Sequence, residues 1–166
     1  MGFEINKQAA QKIIWCQSNV PRIRSYWFKF LNSITRANVH YERFGIITNA
    51  KCTWCDVTPQ TREHLYLLCP AVRDFMSDIT CTQDITQQYE QWLNGALDRA
   101  AAWIMGETVY FIHASNYRNR EINRATFLAW LGKKRDIELK IANDNLRFSS
   151  YDKKWGDITR ELGLPF

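Results

Sequence analysis

The sequence predicts a mainly α-helical domain with a zinc-knuckle-like Cys-Cys-His-Cys site embedded in it. Three observations carry this expectation. Apolar residues recur at helical spacing along most of the chain, and no segment sustains the period-two alternation of a strand. Prolines and glycines are few, four and seven in 166 residues, so long segments run without a breaker. The stretch "KCTWCDVTPQTREHLYLLCP", residues 51–70, gathers three cysteines and a histidine at metal-ligand spacing.

The first helix is read in "SNVPRIRSYWFKFLNSI". Ile23, Tyr26, Trp27, Phe30, Leu31 and Ile34 form its apolar face, Ser18 or Asn19 its cap and Pro21 its first turn. Arg22, Arg24 and Lys29 fall on the opposite face. "TRANVHYERFG" is a shorter helix, with Thr35 as N-cap and Gly45 as its stop. After the cysteine segment, "AVRDFMSDI" places Val72, Phe75, Met76 and Ile79 inward. A long helix is expected from about Thr82 to Met105, ended by Gly106, with Tyr89, Trp92, Leu93, Trp103 and Ile104 along its stripe. A further helical region begins at Glu107, with breaks possible between Asn116 and Asn123 and at Gly132. The tail packs through Phe148, Tyr151 and Trp155 and carries a short helix near Asp157 to Leu162. Residues 1–80 therefore hold the first helices and the metal module, and residues 81–166 a helical extension packed on it as one compact unit.

Composition narrows the class. Seven Trp, seven Tyr and nine Phe supply a core too large for a disordered chain. No apolar run is long enough to span a bilayer, and the N-terminal residues are too polar for a secretory signal, so the expectation is an intracellular protein with no membrane partner. The net charge of +5 permits a polyanionic partner. Five cysteines, an odd number, point to metal or free thiols rather than to a disulfide framework. Cys16 and Cys81 lie outside the ligand pattern and are expected as buried thiols, a disulfide between them being the alternative.

The ligand pattern is Cys-x2-Cys-x8-His-x4-Cys, formed by Cys52, Cys55, His64 and Cys69. A tight Cys-x-x-Cys turn aims two thiolates at one point, and a short helix returning to that point supplies the other pair. A thioredoxin-like redox pair would open a helix after a strand, which this context lacks. Cys69 and His64 as plain core residues remain the other alternative. The expected cofactor is one structural Zn2+: four protein ligands close the site, with no open position for water or substrate. Three thiolates also over-neutralise the ion, so any anion binding falls to basic neighbours such as Lys51, Arg62 and Arg73.

These residues resemble the zinc-binding region found C-terminal to the reverse transcriptase of non-LTR (LINE-type) retrotransposons. The resemblance rests on Trp15, Pro21 with Arg22 and Arg24, Trp27-Phe28, Thr35, Gly45-Ile46, Cys52 and Cys55, Glu63-His64-Leu65 and Cys69-Pro70. It covers roughly residues 13–76 and thins beyond them, where "NYRNR" matches the family only loosely. The resemblance implies a module that holds template RNA or target DNA near the reverse transcriptase of the same element. The chain carries no Asp-Asp polymerase signature. Its prolines are followed by Arg22, Gln60, Ala71 and Phe166, so the Pro-Asp step of the associated nuclease is missing. No catalytic set emerges, and the chain is expected not to be an enzyme.

Nucleic-acid contacts, if made, are expected from Arg22, Arg24, Lys29, Lys51 and Arg62, with Trp54 at the knuckle tip as a stacking ring, the alternatives being a lid on the site or a ring packed on Phe44. A second basic cluster runs through Arg118, Arg120 and Arg124 to Lys133, Lys134 and Arg135. Both groups also fit ordinary solvated helix faces. The rival function is a co-opted, stand-alone retrotransposon-derived protein acting on a protein partner, its zinc purely structural.

Overall fold

The computed structural model describes Gln8 and residues 21–164. The expectations at Trp15, Cys16, Ser18, Asn19 and the Arg22 side chain lie outside the described residues. What is described is helical, and its one pairing of extended chain is an isolated antiparallel bridge between Lys51 and Pro59.

Helix α1, Pro21–Leu31, buries Ile23, Tyr26, Trp27 and Phe30 as their spacing predicts, and leaves Phe28 and Lys29 exposed. Ile34 departs from the expected stripe. Ser33 turns left-handed (φ 60°), the helix stops, and Ile34 is 55% exposed. Helix α2, Asn38–Arg43, starts later than predicted. Ala37, not Thr35, occupies the N-cap position, and its N–H donates to Nδ1 of His40 at 3.2 Å. Gly45 ends the segment at φ +67°, a conformation that favours glycine.

Helix α3, Pro70–Thr80, begins on a proline whose missing N–H has no helical partner to lose. Val72, Phe75, Met76 and Ile79 are buried. Cys81 follows in the left-handed conformation and is exposed, which corrects the expectation of a buried thiol.

The predicted long helix from Thr82 is two helices. Helix α4 spans Ile85–Leu93, with the Asp84 carboxylate accepting from the Gln87 N–H. The chain then turns at Gly95 (φ +72°) and restarts at Asp98, whose Oδ1 accepts from the N–H groups of Ala100 and Ala101. Helix α5, Arg99–Tyr117, runs straight through Gly106, which is buried in its middle rather than ending it. Every residue from 103 to 112 is buried, so α5 is the helix around which the others pack.

Helix α6, Arg124–Asp144, starts from an Asn123–Thr126 capping box and passes Gly132 without a break. Helix α7, Phe148–Glu161, is more than twice the predicted length, with Trp155 and Ile158 buried and Phe148 left 44% exposed. Trp155 packs edge-on against Trp103 of α5 at 5.6 Å. No helix among the described residues is long and apolar enough to cross a membrane.

Aromatic contacts join the first half of the chain to the second. Trp27 meets Trp92 at 5.1 Å, Tyr26 meets Tyr110 at 5.0 Å and Phe75 meets Phe127 at 5.9 Å, all three edge-to-face. Under these rings the Tyr26 hydroxyl donates to that of Tyr66 at 3.3 Å. Burial pushes Tyr66 up to about 12, and Tyr26 well above the ordinary tyrosine range, so both stay neutral.

One buried ion pair holds α5 to α6. The Glu107 side chain is 2% exposed and pairs with Lys134, which is 17% exposed and lies over the Trp103 ring at 5.5 Å. Removing the lysine strands a carboxylate in the core. Lys134→Ala is therefore expected to destabilise the chain by about 3 kcal/mol. A double variant, Lys134→Met with Glu107→Leu, should recover most of the loss in urea denaturation midpoints. An unchanged midpoint for Lys134→Ala would show that Glu107 does not depend on the pair.

Candidate metal centre

The knuckle is built by a turn and a return. Cys52 and Cys55 sit in a loop closed by short backbone bonds: Cys52 N–H to Thr58 O at 3.0 Å, Asp56 N–H to Cys52 O at 3.0 Å and Gln60 N–H to Ala50 O at 2.7 Å. Asp56 takes a left-handed conformation (φ 50°), which Asp tolerates better than most residues, and this reverses the chain just after Cys55.

The return is not the α-helical turn expected of "TREHLYLLCP". His64–Leu68 forms a π-helical turn, in which the Cys69 N–H donates to the His64 carbonyl at 2.8 Å. This answers a geometric difficulty in the spacing. In an α-helix, positions i and i+5 lie about 140° apart and face different ways. A bond closed from i to i+5 brings the fifth residue back towards the first, as π-turns do at functional sites. Cys69 then leaves the turn with extended geometry and stands at the N-cap of α3.

The four donor atoms converge. Sγ of Cys52, Cys55 and Cys69 and one ring nitrogen of His64 all lie within 4.8 Å of one another. Cys52 Sγ is 3.7 Å from Cys69 Sγ, and Cys55 Sγ is 3.3 Å from His64 Nε2. A zinc tetrahedron with Zn–S bonds of about 2.3 Å has S–S edges of about 3.8 Å, so the donor set has the size and chemistry of a zinc site. Three of the four residues are buried, and Cys55 is partly exposed. The thiols already behave as a set. Donation from the Cys69 thiol, helped by the backbone N–H groups of Cys55 and Trp54, lowers Cys52 to about 4 against the opposing effect of burial. Its partner Cys69 is pushed up by the same bond and by burial.

The neighbours that hold these ligands were not visible in the sequence. With Nε2 turned to Cys55, the His64 ring presents Nδ1 to the Thr58 hydroxyl at 3.1 Å, the outer-shell bond that fixes a ligating histidine's tautomer. Gln60, fully buried, donates to Cys52 Sγ at 3.7 Å and exchanges two amide bonds, 2.9 and 3.1 Å, with Asn116 of α5. Thr53 also donates to Asn116, at 3.1 Å. The knuckle is thereby seated on the end of α5.

The basic candidates separate. Lys29 and Lys51 are exposed, and Arg24 is partly buried. Arg62 has its guanidinium over the Phe30 ring at 5.6 Å. Trp54 does not lie against Phe44: its indole N–H donates to the Arg120 carbonyl at 3.0 Å, and Phe44 is covered instead by Arg36 at 5.3 Å. In the second cluster, Lys134 is taken up by Glu107. Arg124 donates to the carbonyls of Asp78 and Leu162, each at 2.7 Å.

No curated protein and no solved structure matches the chain. Residues 1–75 match the family described as zinc-binding in reverse transcriptase, a span that includes the whole donor set. The order of motifs that suggested such a family and the convergence of the four donors thus agree: the match over residues 1–75 supports a retrotransposon reverse-transcriptase-associated zinc-binding region there, and its donor set supports one structural zinc.

Proposed function

We propose that the chain is a nucleic-acid-binding zinc module that works beside the reverse transcriptase of its own element and helps position RNA template or target DNA. The observation that carries this reading is the family match over residues 1–75, centred on a Cys3His donor set. Cys52, Cys55, Cys69 and Nε2 of His64 are the proposed zinc ligands. Four protein donors leave no open coordination position, which supports a binding module rather than an enzyme.

The proposed strand contacts on the knuckle side are Lys29, with the exposed ring of Phe28 beside it, and Lys51. Arg24 belongs with them as a neighbour on α1, and Arg22 by its place in the sequence. Arg62 is assigned instead to its packing on Phe30, and Trp54 to anchoring the loop at Arg120. Residues 1–80 and 81–166 act as one unit in this reading, because the aromatic contacts cross between them.

Fluorescence anisotropy of the zinc-loaded chain with single-stranded RNA, single-stranded DNA and duplex DNA, at several salt concentrations, tests the proposal. Binding should weaken steeply with salt, and Lys29→Ala with Lys51→Ala should reduce the log–log slope by about 2, one for each phosphate the lysines would neutralise. A folded chain that binds none of the three at low salt ends the proposal. One observation favours a second reading, contact with a protein partner: Ile34, after α1, and Phe44 and Ile46, after α2, are each more than half exposed. Salt-insensitive association with no nucleic-acid binding would select it.

A further inference from the structure

Outside the segment that matches the family, α5, the loop after it and α6 line a half-open cavity of about 390 Å³. Its apolar side is formed by Phe111 and Trp130, whose rings meet at 5.9 Å. Its polar side carries Arg118, Arg120 and Lys133 against one carboxylate, Glu121. Among the described residues none of the three cationic head groups has an ion-pair partner, whereas Arg124, Lys134 and Arg135 of the same basic stretch each have one. Glu121 accepts from the Asn123 amide at 3.0 Å. The charge left in the cavity is therefore positive, beside an aromatic surface.

The arginines stand on a loop with a fixed backbone. The Arg120 N–H donates to the Ser115 carbonyl at 2.9 Å, and Asn119 turns left-handed at φ 51°. From the other side, the indole of Trp54, a residue between two zinc ligands, holds the Arg120 carbonyl. A loop pinned to both α5 and the zinc turn presents its cations from a preorganised position, which lowers the ordering cost of binding.

We propose that this cavity takes one nucleotide unit of a single-stranded nucleic acid, its base against Trp130 and its phosphate on Arg118, Arg120 and Lys133. The volume lies within the roughly 300–1,000 Å³ of ligand pockets, at the small end that suits one nucleotide. An aromatic face supplies the sequence-tolerant stacking surface, and guanidinium forks suit a phosphate better than a solvated face requires. The proposal rests on the nucleic-acid reading above and adds a second contact region, whose lining includes neither of the knuckle lysines.

The test uses the full zinc-loaded chain and a fluorescein-labelled single-stranded RNA 12-mer, with an abasic strand of equal length as control. Arg118→Ala with Arg120→Ala, both exposed in the fold, is expected to weaken binding at least about tenfold near 0.1 M salt and to lower the salt slope by about 2. Ala129→Leu, which fills the cavity and keeps its charges, is expected to weaken the normal strand while leaving the abasic strand unchanged. Free AMP should displace the strand at concentrations where inorganic phosphate does not. Equal displacement by phosphate would overturn the role of the base. Melting curves and zinc content confirm that each variant is folded. Pocket variants that bind like the unmodified chain, while Lys29→Ala with Lys51→Ala weakens it, overturn this inference and leave the nucleic-acid reading standing. An unmodified chain that binds no strand overturns both.

Discussion

Cys69→Ser is expected to abolish zinc binding and to lower the melting temperature by more than about 10 °C, the shift that a loss near 5 kcal/mol gives in a chain of this size. Structural zinc is worth about 10–16 kcal/mol of apparent binding energy in small zinc modules, comparable with the whole stability of a domain. Here the loss is smaller than that, because the aromatic core does not rest on the metal alone. Cys69 is nonetheless the most exposed to failure by its position: it is fully buried, it ends the π-turn that carries His64, and it begins α3. Chelation of the unmodified chain should reproduce the effect, and one equivalent of zinc should reverse it. Metal analysis should find one zinc per chain before chelation and none in the variant. Equal melting temperatures with and without chelator would mean that the four donors hold no structural ion.

Trp92→Ala should cost about 4 kcal/mol, the typical loss for a large aromatic ring removed from a core. Trp92 is fully buried and meets Trp27 at 5.1 Å, Tyr89 at 6.1 Å and Phe30 at 6.2 Å, so its removal opens a cavity between α1 and α4 that neighbouring rings are too rigid to fill. Its indole N–H has no hydrogen-bond partner among the described residues. Trp92→Phe should therefore cost much less than alanine, since it removes an unpaired donor along with part of the ring. Urea midpoints of the two variants check the ordering. Zinc content should stay at one in both, which separates this core from the metal site. A Trp92→Phe variant as unstable as Trp92→Ala would refute the role given to the unpaired N–H.

The convergent donor set was legible because zinc demands particular residue types at particular separations, and Cys52, Cys55, His64 and Cys69 satisfy that demand within one short stretch. The buried faces of α1 and α3 were legible for a similar reason, each having an uninterrupted period. The turn at Gly95 was hidden because Leu93, Leu97 and Ala100 keep apolar spacing across the break, so the pattern gives no sign that two helices share it. Helix α7 was hidden by Lys153, Lys154 and Gly156, although Tyr151, Trp155, Ile158 and Leu162 lie at helical spacing beneath them. The π-turn leaves no trace in a count of intervening residues, which is the same whichever way the turn is wound. Gln60 and Asn116 stand 56 positions apart, and nothing local to either announces the other. Arg62 was grouped with phosphate-binding residues by charge, and only the position of Phe30 shows what its guanidinium covers.

The pairing of Gln60 with Asn116, together with the indole of Trp54 on the Arg120 carbonyl, bears on how portable the metal module is. The recognisable segment ends at residue 75, inside α3, yet its knuckle takes its seat from residues some forty positions further on. Transplanted by its sequence boundary, the segment would arrive without that seat, its buried glutamine deprived of both Asn116 bonds and the rings of Tyr26 and Trp27 deprived of Tyr110 and Trp92. The structural unit is therefore larger than what the ligand signature marks. Changes at Asn116 or in the loop after α5 would disturb the seat of the ligands, although both lie outside the stretch by which the region is recognised.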